Sequence, residues 1–258
     1  MKTNGNTILI TGGGSGIGRA LAEAFHKLDN QVIIAGRGKK TLDETTAANP
    51  GMKSVTLDVS DPKSIQSFAA QVTKDFPTLN LIINNAGIMR PENLLEAPNY
   101  LSDAEAIVTT NLLGPIRLTA ALLPTLQKQP RATIMNVSSG LAFVPLAMTP
   151  TYCATKAAIH SYTQSLRYQL KATKVEVVEL IPPYVQTTLM GDQQAEDPRA
   201  MPLKEFIEEV MSLLKSQPDA KEVCVKTVYP LRFSAEHGQQ KYEEFFQHLN
   251  DSFTRQQQ

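Results

Sequence analysis

Short β-branched runs alternate with longer stretches of helical spacing from the N-terminus to about residue 181. The apolar runs are Ile8-Leu9-Ile10, Val32-Ile33-Ile34, Val55-Thr56-Leu57, Leu81-Ile82-Ile83, Thr133-Ile134-Met135 and Val175 to Ile181. Between them, helical spacing predicts helices over 16–29, 39–48, 61–75, 102–128 and 152–171. Several runs are apolar at consecutive positions, so both faces of those strands must be covered. Strands of this kind separated by helices predict an α/β fold with a parallel sheet buried on both sides. Ser60-Asp61-Pro62 offers a helix cap followed by proline, and Ser102 with Glu105 has the pattern of a capping box.

The alternation breaks after residue 181. Residues 187–202 hold Gly191, Pro198 and Pro202 among polar residues and read as a mobile loop. Residues 203–215 regain helical spacing through Leu203, Phe206, Ile207, Val210 and Leu214. Glu222 to Val228 suits a last strand, and Lys241 to Phe253 a terminal helix. No repeat, low-complexity tract or linker divides the chain. The expected organisation is one domain over 1–258, with a substrate lid region at 187–216 and a C-terminal extension at 234–258.

Composition narrows the function. Twenty-five basic residues balance twenty-five acidic ones, and there is no tryptophan. A nucleic-acid partner needs clustered cations and stacking aromatics, so none is expected. Cys153 and Cys224 have no CxxC spacing, and the four histidines show no HExxH or Cys/His cluster, so no metal site is expected. The first apolar run is reached without a signal-peptide core, and Leu141 to Met148 is too short to span a bilayer. The sequence predicts a soluble, cytoplasmic protein without a membrane partner.

The first strand runs into Thr11-Gly12-Gly13-Gly14-Ser15-Gly16-Ile17-Gly18, and a helix follows. Glycines there let the backbone approach a pyrophosphate whose charge the helix N-terminus stabilises. The other unusual residues also follow apolar runs: Gly36-Arg37, Asp58, Asn84-Asn85-Ala86-Gly87, Ser138-Ser139 and Pro182 to Thr187. In an open parallel sheet, ligands bind outside the carboxyl ends of the strands. Any one of these features alone is an ordinary turn; six on one edge define a site.

Tyr152 and Lys156 are four apart and share one helix face. A packed tyrosine beside a snorkelling lysine would satisfy that spacing alone. Ser139, thirteen residues before Tyr152, should reach the same edge and complete a proton-transfer set. A phenol with reference pKa near 10 is a poor acid-base at neutral pH, and each unit of lowering is worth about 1.4 kcal/mol. A nearby ammonium is expected to supply that lowering, and the serine to hold a substrate oxygen. Pro115 has no N–H to give the Asn111 carbonyl, so the predicted long helix carries either a tolerated kink or a free carbonyl that takes a water.

These motifs resemble the short-chain dehydrogenase/reductase family, non-extended branch, over residues 5–230. The matching segments are TGGGSGIG, Asp58, NNAG, Asn111, VSSG, YCATK and Pro-x-x-Val-x-Thr at 182–187. The stretches SGLAFVPLA, YCATKAAIHSYTQSLRYQL and IPPYVQTTL further resemble bacterial DltE-like oxidoreductases. The resemblance implies a doubly wound parallel sheet in a single Rossmann-fold domain. It implies a catalytic tetrad of Asn111, Ser139, Tyr152 and Lys156, with Tyr152 as acid-base and Lys156 on the nicotinamide ribose. It implies cofactor contacts from Gly12, Ser15, Gly16, Ile17 and Gly18, from Arg37, Asp58 and Val59, and from Asn85, Ala86 and Gly87. Tyr152, Lys156, Val185 and Thr187 complete that set. Two departures stand out: Pro182-Pro183 replaces the usual Pro-Gly, and Tyr229 to His237 with a helical tail replaces the usual glycine-rich end.

The sequence thus predicts an NADP(H)-dependent oxidoreductase that passes a hydride between nicotinamide and a small-molecule carbonyl or alcohol substrate. A non-catalytic NADP-binding sensor or scaffold protein is the alternative. NADP(H) is preferred to NAD because Gly36 stands where an NAD-selective site has a carboxylate, and Arg37 follows. Leu141, Phe143, Val144, Leu189 and Met190 are expected to line an apolar pocket. Apolar residues around the helices at 102–128 and 152–171, including Leu112, Leu113, Ile116, Leu118, Ala157, Ile159 and Leu166, predict a homo-oligomer, a dimer or tetramer.

Overall fold

A computed structural model of the chain describes residues 1–254; the last four residues of the expected extension, 255–258, lie outside the described residues. Seven parallel strands form one sheet in the order β3-β2-β1-β4-β5-β6-β7. They are β1 (Thr7–Thr11), β2 (Gln31–Gly36), β3 (Lys53–Thr56), β4 (Leu79–Asn84), β5 (Ala132–Val137), β6 (Val175–Ile181) and β7 (Glu222–Cys224). The helices of the first six units are α1 (Gly16–His26), α2 (Lys39–Ala48), α3 (Pro62–Asp75), α4 (Leu101–Val108), α5 (Gly114–Lys128) and α6 (Pro150–Gln169). After β6 come α7 (Asp192–Glu196), α8 (Leu203–Ser216), α9 (Tyr229–Arg232) and α10 (Gln239–Thr254).

The two-residue period of the strands sorts the core into two layers. Ile8, Ile10, Val32, Ile34, Leu81 and Ile83 face Leu21 and Phe25 of α1 and Phe206 and Val210 of α8. Leu9, Ile33, Ile82 and Ile134 face Phe68 and Val72 of α3 and Leu118, Leu122 and Leu126 of α5. This is the doubly wound, single-domain Rossmann arrangement. The order reverses between β1 and β4, where the sheet opens a crevice at its carboxyl edge.

Asp61 caps α3 by accepting from the Lys63 N–H at 2.9 Å, with Pro62 at the first helical position. The capping box at Ser102 does not form. The chain already turns at Pro98 to Tyr100, whose carbonyls accept from Leu101 and Asp103, so Ser102 enters inside α4. The long helix over 102–128 is interrupted by a π-helical turn, Thr109–Leu113, between α4 and α5. Gly114 N–H bonds back to the Thr109 carbonyl, five residues earlier, which accommodates the missing N–H of Pro115. The run Leu101–Lys128 is long and apolar enough to cross a bilayer. Its Ile107, Leu118, Leu122 and Leu126 are fully buried inside the protein, which accounts for that composition. The expected last strand is shorter than 222–228: pairing stops at Cys224, and Lys226–Val228 is a single 3-10 turn.

Candidate active site

The crevice floor is sewn together by Thr11. Its hydroxyl accepts from the N–H groups of Asn85 and Ala86, each at 3.0 Å, while Asn85 Nδ2 donates to the Thr11 carbonyl at 2.9 Å. Gly12, at φ +67°, turns the chain from β1 into α1, and a Cβ there would lie 2.9 Å from Asn85 Nδ2. A Cβ on Gly18 would sit 2.3 Å from the Gly12 carbonyl oxygen, so α1 can approach the turn only with glycine there.

A cavity of about 440 Å³ opens over this floor. It brings together Gly12, Ser15, Gly16 and Ile17 from the first turn and Asn85, Ala86 and Gly87 from the end of β4. Ser139, Tyr152 and Lys156 join them from the next unit, and Val185 and Thr187 from the segment after β6. Gly18 lies beneath, and Asn111 stands behind Gly87. Asn111 Nδ2 donates to the Ile88 carbonyl at 2.8 Å, and the Ile88 N–H donates to Asn111 Oδ1 at 2.9 Å. This clamp fixes the backbone after β4 to the π-helical turn, and Asn111 is nearly fully buried.

Arg37, Asp58 and Val59 are absent from the cavity lining. Arg37 follows the end of β2 and is exposed. Asp58 Oδ1 accepts from the Ser60 N–H at 2.9 Å and the Ser60 hydroxyl at 2.6 Å. Partial burial would raise the Asp58 carboxyl, but these two bonds and the charge of Arg37 hold it below its ordinary value. Val59 packs against Gly114, where an added Cβ would meet the Val59 carbonyl at 2.8 Å. It therefore braces the π-helical turn.

Tyr152 and Lys156 share one face of α6, and both are buried. Burial pushes the Tyr152 phenol well above its ordinary value, opposed in part by its hydrogen bond with Ser139. Burial also lowers the Lys156 ammonium to about 8, and the negative charge of Glu179 opposes that. The ammonium does not give the phenol the expected lowering. Lys156 Nζ donates to the Val137 carbonyl at 2.8 Å and stands 5.5 Å from the Tyr152 ring centroid. The resting site thus holds a neutral phenol, a proton donor, beside a serine hydroxyl.

Leu141, Leu189 and Met190 line the cavity as expected, whereas Phe143 and Val144 do not. Phe143 packs edge-on against His160 at 4.7 Å and under the Arg232 guanidinium at 4.6 Å, and Val144 is fully buried. The apolar face of α8 belongs to the core. Cys153 is a packed residue whose Sγ accepts from the Leu146 N–H at 3.3 Å, and burial raises its thiol.

Two sets of residues escaped sequence reasoning. Leu249 and Phe253 of α10 close the far side of the cavity. Their signal was present in the half-buried stripe Tyr242, Phe246, Leu249 and Phe253, which needs a surface to cover. Glu179 and His160 form the other set; β6 carries two acids, Glu176 and Glu179, and only Glu179 is fully buried.

The crevice at the sheet reversal, the glycine turn and the buried Ser139-Tyr152-Lys156 group define a dinucleotide-linked oxidoreductase. Residues 6–198 match the short chain dehydrogenase family, and the chain belongs to it. It is an NAD(P)-dependent dehydrogenase or reductase. An uncharacterized oxidoreductase, DltE, of Bacillus subtilis (strain 168) is 37% identical over 253 residues, 97% of this chain and 98% of that one. A short chain dehydrogenase from Burkholderia cenocepacia J2315, solved in complex with NADP, superposes with TM-score 0.81 at 24% identity, covering 95% and 99% of the two chains. A short chain dehydrogenase/reductase from Burkholderia phymatum, solved with NAD, gives TM-score 0.78 at 22% identity, covering 92% and 95%.

The residues present fit a nicotinamide dinucleotide. The turn after β1 leaves no room for a Cβ at Gly12 or Gly18, Ser15 and Gly16 present the N-terminus of α1 to the cavity, and Lys156 supplies a buried cation.

Proposed function

We propose that this protein is an NADPH-dependent carbonyl reductase for medium-sized apolar ketones or aldehydes. The observation that carries the reading is the convergence of Ser139, Tyr152 and Lys156 with the glycine turn in one largely apolar cavity. When bound, NADPH would supply the hydride for the carbonyl carbon. Ser139 holds the carbonyl oxygen by a hydrogen bond, and Tyr152 gives that oxygen its phenolic proton as charge develops. A phenol kept neutral by burial is in the protonation state that this step requires. Lys156 holds the ribose and stabilises the phenolate left behind. Asn111 fixes the π-helical turn at the back of the site, where its carbonyl supports a water that returns the proton.

Cofactor choice is read at the exposed end of the crevice. Gly36 presents no carboxylate to a 2′-phosphate, and Arg37 is free to make charge-assisted hydrogen bonds to it. Asp58, Val59 and Gly18 flank the adenosine half, and Val185 and Thr187 the nicotinamide half.

Residues 187–216 act as the substrate lid region, and Leu249 and Phe253 of the C-terminal extension, 234–258, complete the pocket. Leu189 and Met190 border the cavity from one side, and Leu249 and Phe253 from the other. Leu118, Ile159 and Leu166 are core residues, but Leu112, Leu113 and Ile116 keep exposed area and Ala157 is open to solvent. That remaining surface supports a homo-oligomer built on α5 and α6.

A cofactor-oxidation assay across a carbonyl panel tests the function. An aryl ketone turned over with NADPH supports it. Binding of NADPH with no turnover of any carbonyl would favour a cofactor sensor instead.

A further inference from the structure

Glu179 is a carboxylate with no exposed surface, set in β6 between Val178 and Leu180. It pairs in register with Asn136 of β5 and Glu222 of β7, and Asn136 pairs with Asn84 of β4. A polar row thus crosses four strands near the carboxyl edge. The amides settle with neutral partners: Asn84 Nδ2 donates to Asn136 Oδ1 at 2.8 Å, and Asn136 Nδ2 to the Thr163 hydroxyl at 2.9 Å. Glu222 is held by Arg232 at 2.8 Å. Glu179 accepts from the Ser138 hydroxyl at 2.5 Å and from His160 Nδ1 at 2.9 Å. His160, Glu179 and Glu222 place ligand atoms within 4.8 Å of one another. The Arg232 guanidinium already gives Glu222 a cationic partner within this cluster.

A buried carboxylate is unfavourable unless a positive charge compensates it, and a buried ammonium has the converse need. Lys156 is 5% exposed, and its hydrogen bond goes to a neutral carbonyl, that of Val137. Two short connections join these charges. His160 follows Lys156 by four residues on the same face of α6 and rests on Glu179. Ser138 follows Val137 directly and donates to Glu179.

We propose that Glu179 is a positioning residue for the reductase site, the buried counter-charge that keeps Lys156 an ammonium beside Tyr152. The groups facing it are Lys156 and His160 from α6, Ser138 from the end of β5, Glu222 and Cys224 from β7, and Arg232 from α9. Arg232 is paired with Glu222, so those two charges largely cancel. Removing the Glu179 charge leaves the burial of Lys156 uncompensated, and the lysine then loses its proton at lower pH.

The proposal rests on the reductase reading only for its consequence in turnover, so its first test needs no substrate. In protein labelled with 13C-lysine, the Lys156 resonance, assigned by its loss in Lys156→Met, is followed against pH without cofactor. The wild-type midpoint is expected at about 8. Glu179→Gln keeps the volume and an acceptor for Ser138, and should move that midpoint down by about one unit, a ten-fold loss of proton affinity. His160→Gln disturbs the same packing but leaves the carboxylate charged, and should move it by less than about a third of a unit. An unmoved lysine in Glu179→Gln overturns the proposal. So does a one-unit fall in His160→Gln, which would assign the effect to packing and which reads out even if Glu179→Gln fails to fold. The alkaline limb of kcat/KM should shift downward with the lysine. If wild type reduces no carbonyl, the reductase reading fails while the lysine titration still decides the role of Glu179.

Discussion

Between residues 7 and 181 each strand is followed by a helix that returns the chain to one sheet edge, and the residues placed there perform generic tasks. On the proposed reading they turn beside a phosphate, donate a proton, or hold a cation. After residue 181 the loop that follows β6 and the helix α10 wrap back over the same cavity, and the side chains this part contributes there are mostly apolar walls. Tyr152 and Lys156 are fixed by a 20-residue helix packed on the sheet. Leu249 and Phe253 are fixed by side-chain clasps: Asn250 Oδ1 accepts from the Ala147 N–H at 2.6 Å, Phe253 packs edge-on with Tyr184 at 5.7 Å, and Arg199 lies over the Phe253 ring at 4.7 Å. One region carries the chemistry, and the other shapes what reaches it.

The largest expected effect lies in the first region. Tyr152→Phe keeps the packing and removes the proton donor, so kcat should fall by about two to four orders of magnitude while NADPH affinity holds. Stopped-flow turnover with fluorescence titration of NADPH checks both halves. Near wild-type turnover would remove Tyr152 from the chemistry.

Next in size is the exposed cofactor end. Gly36→Asp with Arg37→Ala should move the NADPH/NADH affinity ratio toward NADH by about ten- to a hundred-fold, the worth of one charged hydrogen bond of about 1.5–3 kcal/mol. Titrating both cofactors against wild type and variant measures it. A wild type that binds NADH more tightly than NADPH would reverse the assignment.

A smaller effect is expected from the wall. Phe253→Ala should raise KM for an apolar ketone by about ten-fold, as expected for losing one side chain's apolar contact, with kcat changed less. Equal losses in kcat and kcat/KM would instead place Phe253 in the reaction itself.

The smallest concerns the clasp. Asp197 is hydrogen-bonded by Arg199, and despite partial burial this holds its carboxyl down at about 2. A depressed carboxyl stabilises the fold above its unfolded value, near 3.8, and that contribution is lost as pH falls through about 2. The pair lies near the surface, so Asp197→Asn should lower stability at pH 7 by under about 1 kcal/mol, with the difference vanishing at the acid end. Urea unfolding at both pH values reads it.

The same contrast explains what could be read without coordinates. The strands were legible because runs such as Val32-Ile33-Ile34 are buried on both faces, and the sheet edge then followed from parallel topology. The glycine turn and the Ser139-Tyr152-Lys156 group were legible because each needs particular residue types at fixed spacing. The π-helical turn was half legible: Pro115 announced a fault but not its form, which depends on Gly114 meeting Val59 from another unit. Ser102 misled because a capping pattern is local, while the preceding turn at Pro98 had already begun the helix. Phe143 misled because a position four residues after Ser139 says nothing about rotamer, and its ring lies under Arg232 and outside the cavity lining. The stripe of α10 showed that it needs a surface but not which one, because its partners, Pro145, Ala147, Tyr184 and Arg199, are 50 or more positions away in sequence.

The most direct test of the central claim follows deuterium from 4-deuterated NADPH into an aryl ketone, with the alcohol read by mass spectrometry for wild type and Tyr152→Phe. Label should appear on the carbinol carbon with wild type, at a rate about two to four orders of magnitude above the variant. Label transferred equally by both proteins, or by neither while NADPH is bound, would contradict the account.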